Sequence, residues 1–120
     1  MDNPQNNVLT REELLEMHNY LCREARDLME QKNHDYGGAQ EVFGNLQACE
    51  DLGICSTEQG ILIRMVDKLS RLINFEKQGK FSVDESVDDN VQDLINYSVL
   101  YRARKASRGQ PSPTHPEEVL

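Results

Sequence analysis

The chain has 120 residues, with 13 Lys+Arg against 21 Asp+Glu, a formal charge of −8 and a hydrophobic fraction of 38%. That length supports one hydrophobic core rather than two, and the ordinary apolar fraction excludes collagenous, mucin-like and disulfide-knot classes. The acidic balance argues against nucleic acid as a partner, because backbone binding depends on Lys and Arg displacing counterions, but a local basic stripe still suits a small anion. No apolar run approaches the roughly 18 residues of a membrane span, and Met1 to Asn7 has neither the basic nor the apolar region of a signal peptide. The expectation is a cytoplasmic protein with no membrane partner.

The four prolines, Pro4, Pro111, Pro113 and Pro116, stand at the chain ends, so the long interior holds no helix breaker except glycine. A first helix is predicted over 11–32. Thr10 and Glu13 form a capping box at its start, Leu14, Met17, Leu21, Ala25 and Leu28 form its core stripe, and Gly37-Gly38 lies beyond its end. A shorter helix over 39–52 carries Val42, Phe43, Leu46 and Cys49, is interrupted by Gly44 and stops at Gly53. The third, over 57–78, opens on the pair Ser56 and Gln59, closes on Gly79 and is expected to bury Ile61, Leu62, Met65, Val66, Leu69, Leu72 and Ile73. The fourth, over 83–106, opens on Ser82 and Glu85 and is expected to bury Val87, Val91, Leu94, Ile95 and Ser98.

The predicted architecture is therefore an all-α, compact bundle of about four helices, assembled as a homo-oligomer. An N-terminal arm covers 1–9, the helical domain 10–107, and a Pro-rich polar tail 108–120, whose composition buries too little apolar surface to order itself. Cys22, Cys49 and Cys55 are odd in number and lack a CxxC pair, so they are read as reduced, small apolar side chains.

The excess negative charge is local. Asp84, Glu85, Asp88, Asp89 and Asp93 fall within ten residues that contain no base. On a helix, Glu85, Asp88, Asp89, Asp93 and Asn96 share one side. The helix dipole favours the first two acids, but carboxylates three, four and eight residues apart repel one another unless a base is interleaved. Either the face is solvated or it meets a cation, and Mg²⁺ is held by one or two carboxylates completed by phosphate oxygens and water. Arg64, Lys68 and Arg71 form a complementary basic stripe on the third helix, with Asp67 beside it. Both readings set the third and fourth helices side by side. The segment from Lys32 to Gly38 adds Asp35 and Tyr36; its His34-Asp35 pair lacks the further histidines that a metal phosphohydrolase of the HD type needs.

The ordered set Lys32…Asp35-Tyr36-Gly37, then Asp67-Lys68-x-x-Arg71-Leu72, then Asp84-Glu85-Ser86-x-x-Asp89…Asp93-Leu94-x-Asn96-Tyr97 resembles the nucleotide-modification-associated domain family of phages and bacteria. The resemblance covers roughly residues 30 to 100 and implies a phage or prophage setting and a link to nucleotide metabolism. More loosely, Glu13…Glu16 and Glu85-x-x-Asp88 are similar to the ExxE and ExxD pairs with which the all-α nucleoside triphosphate pyrophosphohydrolases hold Mg²⁺, although two helical stretches separate the pairs here.

These readings lead to an expected nucleotide-binding protein acting as a Mg²⁺-dependent phosphohydrolase on free or modified nucleotides. Glu85, Asp88 and Asp89 would ligand the metal, and Asp93, as the catalytic residue, would orient a ligand or the water. Lys68, Arg71 and Arg64 would meet phosphate, with Asp35, Tyr36, Phe81, Asn96 and Tyr97 completing the substrate site. An alternative is a non-catalytic sponge that sequesters a nucleotide immune signal, for which Tyr36, Phe81, Tyr97 and Tyr101 offer rings and Arg102, Arg104 and Arg108 positive charge. A third is a small interaction protein whose acidic helix docks a basic host surface.

Overall fold

A computed structural model describes residues 8–35 and 42–109. Four helices follow in order, α1 (Arg11–Asp35), α2 (Asn45–Asp51), α3 (Thr57–Gln78) and α4 (Val87–Ser107), and they form an all-α four-helix bundle. The arm before Val8, the start predicted for the second helix, the Gly37-Gly38 stop, Tyr36 and the tail beyond Gly109 lie outside the described residues, as does the side chain of Asp35.

Local signals set the helix ends. Thr10 and Glu13 cap α1 reciprocally, each side chain accepting from the other's backbone N–H at 3.1 and 3.0 Å. α3 has the predicted bounds because both its ends are determined locally: Ser56 and Gln59 form a capping box, and Gly79 at φ 73° takes the left-handed C-cap that a side chain disfavours. α4 starts later than predicted. The box that closes its first turn is Ser86 with Asp89, not Ser82 with Glu85, and Glu85 lies before the helix in contact with α3. The second helix is also shorter than predicted, and Gly44 at φ 48° stands at its N-cap, not in its interior.

α4 is the hub. It packs along α3 and against α1, while α2 packs on α3. Asn96 ties α4 to α1 by donating from Nδ2 to the Ala25 carbonyl at 2.9 Å. α2 approaches α3 over Gly60, where an added Cβ would come within 3.2 Å of Leu46 Cδ2.

Among the described residues the fully enclosed apolar side chains are Ala25 and Ile61. This corrects the expected core. On α3, Ile61 is enclosed and Met65 and Leu72, on the same stripe, are half-buried, whereas Leu62, Val66, Leu69 and Ile73 stay 45–62% exposed. On α1, Leu14 and Met17 are about half exposed at 54% and 48%, and on α4 Val87 and Ser98 are exposed. A helical period identifies an apolar stripe but not whether a neighbour covers it. The cysteines are free, as read from the sequence. No helix among the described residues is long and apolar enough to cross a membrane.

Candidate functional site

The predicted basic and acidic positions do meet, as ion pairs between α3 and α4. Lys68 Nζ lies 3.0 Å from Asp93 Oδ2, and Lys32 of α1 approaches the same carboxylate at 4.0 Å, so Asp93 is shared by two ammonium groups and is 17% exposed. Arg71 donates from Nη1 to Glu85 Oε2 at 2.8 Å and from Nε to Asp67 Oδ2 at 3.3 Å. These two carboxylates, Glu85 first, hold the guanidinium above its ordinary pKa. The other Glu85 oxygen accepts from the buried Asn90 Nδ2 at 2.7 Å, and Asn90 also donates to the Ser86 carbonyl at 3.0 Å. Glu85 is thus held by two elements at once.

The proposed metal ligands are not gathered. Asp89 closes the capping box of α4, Glu85 serves Arg71 and Asn90, Asp93 serves Lys68 and Lys32, and Asp88 is exposed at the first turn. No group of three or more His, Cys, Asp or Glu side chains among the described residues could hold a metal ion. Nor do the ExxE and ExxD pairs meet. Lys32 near Asp93 marks the end of α1 that reaches α4, and Glu16 lies roughly 24 Å back along the helix at about 1.5 Å per residue. Glu13 is engaged with Thr10.

Of the other predicted contacts, Asn96 is occupied by the Ala25 carbonyl, Arg64 is exposed without an ion pair among the described residues, and Tyr97 is half-buried on α4. Phe81 packs against a second ring. Its ring stacks on Phe75 with centroids 4.6 Å apart and planes 25° apart, in the segment that leads from α3 to α4. The two rings line a cavity of about 460 Å³ together with Arg71, Asn74, Lys80 and Glu85. Arg71 Nη2 makes no hydrogen bond to a described residue, and Lys80 is exposed beside it. Phe75, Asn74 and Lys80 escaped the sequence reading; the aromatic spacing of Phe75 and Phe81 across the Gly79 stop was the available signal.

A second charged cluster, unforeseen apart from its arginines, closes the opposite end of the α3/α4 pair. Glu50 of α2 accepts from the Thr57 N–H at 2.8 Å and from Arg104 Nη2 at 3.3 Å, and pairs with Arg108 Nη2. Arg108 Nε donates to Glu58 at 3.0 Å, and Lys105 lies 3.9 Å from the same carboxylate. The Arg108 bond and the Thr57 amide hold Glu50 far below the usual carboxylate range; Arg108 also lowers Glu58, against the opposing effect of burial. Arg104 further lies over the Phe43 ring at 5.2 Å.

Fold and groove together define an all-α domain whose α3/α4 pair carries a ring-and-cation pocket at one end. Residues 32–102 match the family described as Nucleotide modification associated domain 1, and the chain belongs to that family. The match starts at Lys32, includes all of α3 and α4 as far as Arg102, and therefore contains every residue named for the groove. No curated protein and no solved structure matches the chain significantly.

Proposed function

We propose that this protein binds a nucleotide in the groove between the C-terminal half of α3 and the segment 79–86, and retains it without cleavage. The carrying observation is one cavity that brings together the Phe75–Phe81 ring pair, the Arg71 guanidinium and Lys80. A base stacks on an exposed ring face, with about 1–3 kcal/mol per base expected for such stacking. Asn74 supplies a donor and an acceptor for a base edge, and the unused N–H groups of Arg71 with the Lys80 ammonium take phosphate oxygens. Asp67 and Glu85 fix the plane of the guanidinium, so little side-chain freedom is lost when the ligand arrives. Retention, not hydrolysis, is favoured because the carboxylates a hydrolase would use are engaged in ion pairs and a helix cap. That corresponds to the sequestering reading of the sequence.

The test is calorimetry against a nucleotide panel, with Mg²⁺ and with EDTA, followed by chromatography of the recovered ligand. The expected result is binding that survives EDTA, weakens at least about tenfold in Phe81→Ala, as loss of a stacking contact predicts, and returns intact nucleotide. Turnover that requires Mg²⁺ would replace retention by the phosphohydrolase reading. Binding to no member of the panel, or binding indifferent to Phe81→Ala and Arg71→Ala alike, would remove the groove.

A further inference from the structure

The exposed stripe of α3 has a specific geometry. At about 100° per residue, Leu62, Val66, Leu69 and Ile73 lie on one line, turned about 100° from the Ile61, Met65, Leu72 line that faces α4. On α4, Val91 and Ile95 are half-buried and stand on the side away from Asn96 and Asp93, which meet Ala25 and Lys32 of α1. α1 therefore covers one side of the α3/α4 pair. α2 joins it on that side, because it approaches over Gly60, which lies about 160° around α3 from Leu62. The other side carries six apolar side chains in two adjacent rows, bordered toward the helix ends by charged residues such as Asp88 and Arg102 of α4 and Glu76 of α3, and no other described helix packs over them.

We infer that this face is covered by a second copy of the chain, related by a two-fold axis, so that the two α3/α4 pairs pack into one shared layer. Three observations select that occupant. The first is area: helices of 22 and 21 residues lying side by side offer, apolar rows and charged border together, a face on the order of 600 Å² at about 1.5 Å rise and 10 Å separation, the lower end of what a stable interface buries per partner. The second is need. With Ala25 and Ile61 as the enclosed apolar side chains among the described residues, one copy leaves much of its apolar surface wet, and the partner that completes such a core must be present whenever the chain is. The third is composition. An uncharged centre suits a protein interface, and a two-fold axis matches an apolar patch to itself, whereas a membrane-surface helix needs a basic polar face that this −8 chain does not supply. The nucleotide groove faces away from this layer, since Asn74 and Arg71 project from the far side of α3, so the inference stands independently of the proposed ligand.

Sedimentation equilibrium over about a hundredfold range of concentration tests it, paired with urea denaturation over the same range, because the midpoint of a dimer rises with protein concentration. The full-length chain is expected at twice its 13.8 kDa mass, with a concentration-dependent midpoint. Val66→Asp places a carboxylate at a position 62% exposed in the single chain, and should weaken association at least about tenfold while helical circular dichroism persists. Ile54→Asp, at an exposed apolar position off this face, should leave association unchanged. A full-length chain that stays monomeric with a concentration-independent midpoint overturns the inference, as does a Val66→Asp chain that associates like the unaltered one. Should Val66→Asp fail to fold, the midpoint series on the unaltered chain decides alone.

Discussion

The two ends of the α3/α4 pair use the same chemical groups to opposite effect. At the α2 end, Glu50 and Glu58 are met by Arg104, Lys105 and Arg108, so charge ties three helices together. At the other end, Arg71 is held by two acids through two of its nitrogens, keeps Nη2 unengaged, and faces a cavity walled by rings. One end is a clasp and the other a socket. The difference comes from what lies opposite: a helix that supplies acids at the first end, and a short segment that supplies Phe81 and Lys80 at the second. Ion pairing alone therefore does not distinguish structural charge from charge available to a ligand; unused donors beside open volume do.

The sharpest way to break the clasp end is through the core beneath it. Ile61→Ala should cost about 2–5 kcal/mol, as large-to-small changes at enclosed sites do, and chemical denaturation would read it. At the socket end Asn90→Ala should cost about 1–3 kcal/mol, because it removes the donor to one Glu85 oxygen and leaves that acid held by Arg71 alone, and should also weaken ligand binding by loosening the acid that orients Arg71. Acid titration probes the clasp next. Glu50 and Glu58 have folded pKa values below their ordinary 4.5, so their stabilisation is complete above that value and is lost as pH falls through the lower folded values. The melting temperature should hold from neutrality down to about pH 5 and drop below it, less steeply in Glu50→Gln; an unchanged slope in that variant would separate Glu50 from the acid response. Smallest is Phe81→Ala, expected to change stability by less than about 1 kcal/mol since its ring is part-exposed, while ligand affinity falls. A large stability loss there would make the Phe75–Phe81 pair a structural element and sharpen the contrast in the other direction.

Much of the fold was legible because its determinants are local. α3 follows from Ser56, Gln59 and Gly79, three residues that act within one turn of the helix end. α4 was misread by four residues for an instructive reason: Ser82-x-x-Glu85 and Ser86-x-x-Asp89 are equivalent as sequence, and what separates them is Arg71 and Asn90 claiming Glu85 from a distance. The same kind of contact changed the meaning of the acidic helix. Its unbroken run of carboxylates looked unbalanced because the balancing cations, Lys68, Arg71 and Lys32, come from α3 and α1. The pairing of the third and fourth helices was foreseen; the stacking of Phe81 on Phe75 was not, since the six-residue step between them crosses a helix end and obeys no helical period.

The tie between α1 and α4 has a consequence for how the molecule breathes. Two polar fastenings between described residues, Asn96 to the Ala25 carbonyl and Lys32 to Asp93, hold the C-terminal half of α1, while Leu14 and Met17 in the first half remain about half exposed. Regions with few buried contacts open below the global unfolding free energy. Amide protons around Met17 should therefore exchange with solvent well ahead of those around Ala25, and α1, continuous as a helix, should open as two separate units.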